Sequence, residues 1–252
     1  MNKTKPLALF ATILLTFSVF KGFAPAQLQS IGKVNFILGN KNNIQVIHPG
    51  YRNWLSASLY SPVYHGDRFK TKSESRCEIK LAEKGTIRVG ENADFILRPA
   101  TATRRSSSVL NSGRLWASIK GLLANDQSRF QIRTPTAVCS VRGTIYRIDT
   151  DSSTKVLVYA GEVDVGPLSL ADDETNQQQQ TPQPIIRQPI QVPGPTQIPG
   201  PFEVSLEDWV RIIAGQQIEV RADGKYHKTE INKQADAEDD WVSWNKQRDA
   251  LK

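Results

Sequence analysis

The chain has 252 residues, 39% of them hydrophobic and 23% charged, with 32 Lys/Arg against 25 Asp/Glu, a formal charge of +7 and only two cysteines. After loss of a leader the length suffices for one large or two modest domains. Two cysteines exclude a cysteine-built metal centre, and the aromatic residues do not cluster with the basic ones as a nucleic-acid surface requires.

Residues 1–26 open with Lys3 and Lys5, run apolar from Leu7 to Phe20 and end in Ala24-Pro25-Ala26 before Gln27. A basic start, a short apolar core and an Ala-x-Ala site predict a cleavable export signal. The core is shorter than the roughly 20 residues of a membrane span. An uncleaved inner-membrane anchor is the alternative, because Lys21 interrupts the run before the cleavage site. The expected product is periplasmic or extracellular, and no cysteine at the site offers a lipid anchor.

From Ser30 to Gly166 short apolar–polar alternations are separated by turn signals at Gly39-Asn40, Pro49-Gly50, Gly66-Asp67, Lys84-Gly85 and Asn111-Ser112-Gly113. That spacing predicts an all-β domain, an irregular antiparallel β-sandwich or a solenoid-like fold, the sandwich ranking first because no fixed-length repeat is present. The stretch from Pro49 to Asp67 carries Tyr51, Trp54, Tyr60 and Tyr64, unusually aromatic for a loop and a candidate glycan-binding surface. Cys77 is in phase with Ile79 and Leu81, and Cys139 with Ala137 and Val141. Both therefore read as small buried hydrophobes, with a disulfide left open. Residues 27–170 hold 20 Lys/Arg against 11 Asp/Glu. Arg76, Glu78, Lys80 and Glu83 alternate with apolar neighbours, so a solvated strand face is the plain reading of that excess, and an acidic polymer or lipid headgroup the sharper one.

Period-two alternation is strongest from Arg129 to Val165, and predicts consecutive antiparallel strands joined by a polar hairpin loop, Asp149 to Thr154. Phe130 and Ile132 share a face, as do Ala137, Cys139 and Val141. Val156 and Val158 oppose Leu157 and Tyr159. Gly143 within a strand predicts a bulge or a close backbone approach. Arg142 is read as neutralising a buried acid or carbonyl.

These motifs also carry a resemblance. Thr134-Pro135-Thr-Ala-Val138, Val141-Arg142-Gly143-Thr144 and Tyr159-Ala-Gly161-Glu-Val163 resemble the core signature of FecR-type domains. Gly66-Asp67-Arg-Phe-Lys-Thr71, Ile87 to Asn92 and Gly113-Arg-Leu-Trp116 resemble its earlier half. The resemblance covers roughly residues 30–165. It implies a signal-receiving extracytoplasmic domain of the bacterial envelope, in the usual arrangement joined through an inner-membrane helix to a short cytoplasmic segment acting on a sigma factor. No such segment precedes the apolar run here, so direct control of a sigma factor is not expected.

Residues 171–201 turn abruptly to acids, four consecutive glutamines and seven prolines. That composition buries too little apolar surface to order itself and predicts an extended linker or loop insertion. Residues 202–252 are expected to close the β fold, with strand-like runs around Ala214-Gly215, a turn at Ala222 to Lys225 and a strand from Tyr226 to Ile231. A helix is predicted from Ala235 to Leu251, acidic at its start and basic at its end. Trp241, Trp244, Arg248 and Leu251 fall on one face of it, a stripe that either packs on its own domain or docks a partner.

Chemistry is read mainly from what is missing. His48, His65 and His227 lie at no metal-ligand spacing, and there is no nucleophile elbow, phosphate-cradling glycine loop or dinucleotide fingerprint. Asp149 and Asp151 lack the further oxygen ligands a calcium loop needs. The expected function is therefore non-catalytic and without cofactor. It is sensing or scaffolding through contact with an envelope receptor or membrane regulator, the alternative being a binder of cell-wall or surface polysaccharide. Gly66, Asp67, Gly113, Trp116, Pro135, Arg142, Gly143, Thr144 and Gly161 are expected to be structural signature residues. Trp241 and Trp244 are the candidate partner contacts.

Overall fold

The computed structural model describes residues 29–82, 85–99, 107–119, 130–171 and 204–251. The expected export signal and the proline-rich linker beyond Ala171 lie outside them. The first half contributes β1 (Ser30–Leu38), β2 (Ile44–Ile47), β3 (Leu55–Ser56), β4 (Pro62–Tyr64), β5 (Arg68–Thr71), β6 (Arg76–Leu81), β7 (Gly85–Val89) and β8 (Asp94–Ile96). There follow β9 (Ser107–Ile119), the short β10 (Phe130–Arg133), β11 (Val138–Thr150) and β12 (Ser153–Gly166). Then come β13 (Val204–Ser205), β14 (Val210–Ile213), β15 (Gln216–Arg221), β16 (Lys225–Glu230) and the helices α1 (Lys233–Glu238) and α2 (Asp240–Ala250).

In place of a plain sandwich or solenoid, the strands join into one continuous sheet that closes a small barrel and extends beyond it. The reason lies in the long strands, whose two halves choose different partners. The first part of β9 pairs with β8 and, in parallel, with β10, while its second part pairs with β7 and β11. Because β10 also pairs with the first part of β11, the strands β9, β10 and β11 form a ring.

The interior follows the alternation. Cys139, Val141, Tyr146 and Ile148 of β11 face Val156, Val158, Val163 and Val165 of β12, all essentially without solvent exposure. Val141 and Tyr146 both point inward although five apart, a spacing that a regular strand would send to opposite faces. A bulge between Arg142 and Ile145 absorbs the extra residue and restores the phase. Gly143 and Gly161 sit at that corner with φ of 63° and 78°, and a Cβ on Gly161 would come within 2.6 Å of the Gly143 carbonyl oxygen. The expected loop from Asp149 to Thr154 is tighter than the sequence suggests, since Asp149 pairs with Lys155 and Thr150 with Thr154.

From residue 204 on, the chain returns to the same strand. β15 pairs with the first half of β12 and β14 with its second half. The terminal helix is two helices and not one. Asp239 takes an extended conformation (φ −76°, ψ 112°), ends α1, and accepts the Trp241 amide to cap α2.

A candidate site on the helix-covered sheet face

The outward phase of the central strands is not a solvated face. Register places Phe36, Glu78, Arg88, Trp116 and Arg147 in one row across β1, β6, β7, β9 and β11. α2 lies over that row. Arg88 is fully buried and forked: Nε donates to Glu78 at 2.6 Å, Nη1 reaches Oδ1 and the carbonyl oxygen of Asn245 at 3.2 Å, and Nη2 meets Asp249 at 2.7 Å. The other Asp249 oxygen accepts the Trp116 indole N–H at 2.9 Å. The plain reading of Glu78 as a solvated outward charge is therefore corrected: it is buried because the helix covers it, and it is paired because burial of a lone charge is costly.

The same logic repeats along the helices. Arg147 grips Asp149 on its own strand and reaches Asp239 at 3.1 Å, while Arg114 also binds Asp239. Tyr159, stacked on Trp116 with centroids 4.5 Å apart, donates to Asp236 at 2.6 Å, and Lys246 holds the other Asp236 oxygen at 2.8 Å. Arg76 binds Asp240 and lies over the rings of both Trp241 and Trp244. Arg248 stacks on Phe36 at 4.0 Å and donates to Glu78 at 3.0 Å. Burial favours the neutral form of Glu78, but the hydrogen bonds from Arg248, Arg88 and Asn35 outweigh it and lower its carboxyl to about 2. Burial raises Asp239 too, and Arg114, Arg147 and the Trp241 amide hold it below the usual carboxylate range.

The tryptophan stripe is thus turned inward. Trp241 is buried against Trp116 and Val242, with Trp244 packed at the margin and stacked on Trp241 at 5.5 Å. Leu251, expected on the same face, is 83% exposed. The outward-facing apolar residues concentrate elsewhere: Tyr51 (63% exposed), Leu55 (49%), Leu59 (49%) and Tyr60 (64%) come from one short stretch ahead of β4. Trp54 in that stretch is half-buried beneath Arg68 at 6.0 Å and Lys70 at 5.2 Å, and Tyr60 meets Lys33 at 5.3 Å. Tyr51 and Tyr64 both set their edges against His48. Of the four aromatics supplied by one stretch, Tyr51 and Tyr64 therefore share His48 while Trp54 and Tyr60 lie against separate cations, with no direct ring contact among the four within the described residues.

Asp67 is buried, accepts the Tyr64 amide at 2.8 Å and pairs with His48 Nδ1 at 2.8 Å, while Gly66 donates to the Leu97 carbonyl at 2.7 Å. Burial raises the Asp67 carboxyl above its usual range, against the Tyr64 amide and His48, which lower it. Gly113 (φ 89°) passes so near Ala93 that a Cβ would lie 2.5 Å from the Ala93 Cα. Pro135 is exposed in the turn that Thr134 closes by hydrogen bonds with Ala137, and Thr144 donates to the Glu162 carbonyl at 2.7 Å. The Arg142 side chain lies outside what the structure describes. Cys77 and Cys139 are free thiols in the core.

Among the described residues no three His, Cys, Asp or Glu side chains could share a metal ion, and no helix is long and apolar enough to cross a membrane. Residues 67–164 match the FecR protein family model. No curated protein matches the chain in sequence. Two crystal structures of a candidate anti-sigma factor from Parabacteroides distasonis ATCC 8503 resemble it, at 13% and 15% identity with TM-scores of 0.41 and 0.40. Each alignment covers 63% of this chain and 57% of the other, so the likeness spans little more than half of those proteins.

Proposed function

We propose that this chain, which carries a FecR domain over residues 67–164, is an exported, non-catalytic receiver or scaffold of the bacterial envelope that works by gripping another envelope protein. The domain supports a place in signal transduction. The observation that carries the mode of action is the exposure of Tyr51, Leu55, Leu59 and Tyr60 within one stretch, beside the cations Lys33, Arg68 and Lys70. Exposed aromatic and aliphatic side chains of this density are what a protein interface buries. The tryptophan helix, the other candidate contact, is engaged by its own sheet.

The exposure of Tyr51 and Tyr60 also favours the second reading, a polysaccharide binder. Leu55 and Leu59 weigh against it, because sugar platforms are built from ring faces, and the rings here divide between a shared His48 edge contact and separate cations. A photo-crosslinking residue placed at position 60 in cells, with protein and glycan products read separately, tests the choice. One stoichiometric envelope protein is expected; wall polymer without such a protein refutes the proposal and favours the sugar binder.

A further inference from the structure

We propose that α1–α2 is a releasable strap, which leaves the barrel as one unit while the sheet stays folded, and that the Arg88–Trp116–Arg147 face it uncovers receives an aspartate-bearing helix from a partner protein.

The strap is fastened by charge more than by apolar burial. Trp241 and Val242 are the buried hydrophobic side chains of α2, with Trp244 packed at their margin and against Phe36, and the remaining contacts with the sheet are largely ion pairs and hydrogen bonds. Arg76–Asp240, Arg114–Asp239 and Lys246–Asp236 each have a partner partly open to water, contribute little net stability and weaken with salt, while the buried Arg88–Asp249 pair is screened less and the barrel interior is held by apolar packing that salt does not screen. The seam is open at both ends: Asp240 is 82% exposed in its side chain, and beside the last turn of α2 lies an open groove of about 570 Å³. Release also returns to water the indole N–H of Trp241, which is buried without a partner.

The strands beneath hold to one another, and the bond from Arg88 to Glu78 lies within the sheet, although Arg88 and Trp116 take further partners from the helix. What fits there is specified by the present occupant. Asp239 and Asp249, about 15 Å apart along a helix, meet Arg114 and Arg147 at one end and Arg88 with Trp116 at the other. A second helix with aspartates at that separation satisfies the same arginines, whereas a helix that lacks them would bury Arg88, Arg114 and Arg147 with only their in-sheet partners Glu78 and Asp149. This holds whatever the exposed stretch before β4 binds.

Native-state hydrogen exchange on the full chain, at about 0.05 M and about 1 M salt, tests release. Amides of residues 233–250 are expected to exchange together, about tenfold or more faster than core amides of β9 and β11, and faster still in high salt while the strands do not change. Exchange of helix and strand amides in one salt-independent step overturns the strap. Docking is tested with a fluorescent peptide copying residues 232–251, added to the full chain and to the Asp239→Asn/Asp249→Asn chain. The doubly substituted chain, its own strap loosened, is expected to bind the peptide about tenfold more tightly. Strand protection in the exchange experiment reports whether it remains folded; if not, Asp239→Asn alone replaces it. Equal binding, or none, overturns docking even where release is observed.

Discussion

Arg88 is the residue on which the covered face turns. Removing it leaves Glu78 and Asp249 short of their shared partner in a place with little water, so Arg88→Met is expected to cost about 3–5 kcal/mol in urea unfolding. Replacing Glu78 as well removes the stranded charge, and the double Glu78→Met/Arg88→Met chain should lose less than Arg88→Met alone, a non-additivity that a solvated pair would not show. The same carboxylate sets the response to acid. Its folded-state value of about 2 lies below its ordinary 4.5, so the stabilisation is complete above about 4.5 and is lost as the pH falls through 2. Asp239 and Asp94 are lowered in the same sense, whereas Asp67, raised by burial, works the other way and favours the folded state as the pH drops. Stability measured from pH 6 down to 2 should therefore fall, with a visibly shallower slope in Glu78→Gln. Backbone demands are equally local. Gly113→Ala must place a methyl group against the Ala93 backbone at positive φ, while Gly224→Ala meets open space at positive φ. About 1–2 kcal/mol of loss is expected for Gly224→Ala, and at least twice that for Gly113→Ala by thermal melts.

At the scale of elements, the strands were largely legible because burial on one side writes a two-residue period into the chain. β11, β12, β15 and β16 appear close to where alternation and turn residues put them. The covered face was legible only in part. Arg88, Trp116, Arg147 and Tyr159 share the outward phase of neighbouring strands, and two large aromatics there are a signal that something lies on top. Which element covers them depends on register, which no single strand reveals. The sequence predicts one continuous helix because the charge gradient spans both pieces, while the break depends on one residue doing two jobs. Asp239 caps α2 and also pairs with Arg114 and Arg147. Asp239→Asn keeps an acceptor for the cap and loses the charge; Asp239→Ala loses both. Helix stability followed by exchange should therefore separate the two variants by about 1 kcal/mol, the usual worth of a cap.

At the scale of the whole molecule, the hydrophobic pattern could give an all-β domain but not its closure, because β9 and β11 form the ring by changing partners at a corner, and Gly143 and Gly113 announce a bend without its destination. The strap and barrel differ in what opens each of them, and the two free thiols tell the openings apart. Cys77 and Cys139 point into the core, where burial pushes both thiols up to about 12, Glu78 adding to the effect on Cys77. A thiolate forms in water far more readily than there, so labelling requires the barrel to open. Release of α1–α2 bares the outer face of β6 and leaves the inner face, with Cys77, unchanged. Maleimide labelling followed by mass spectrometry should accordingly add two labels together, at a rate tracking global unfolding in urea, with no acceleration by the salt that speeds exchange in the helices. Early single labelling of Cys77 in high salt would mean instead that the strap seals the core, and that the sheet beneath it cannot stand uncovered.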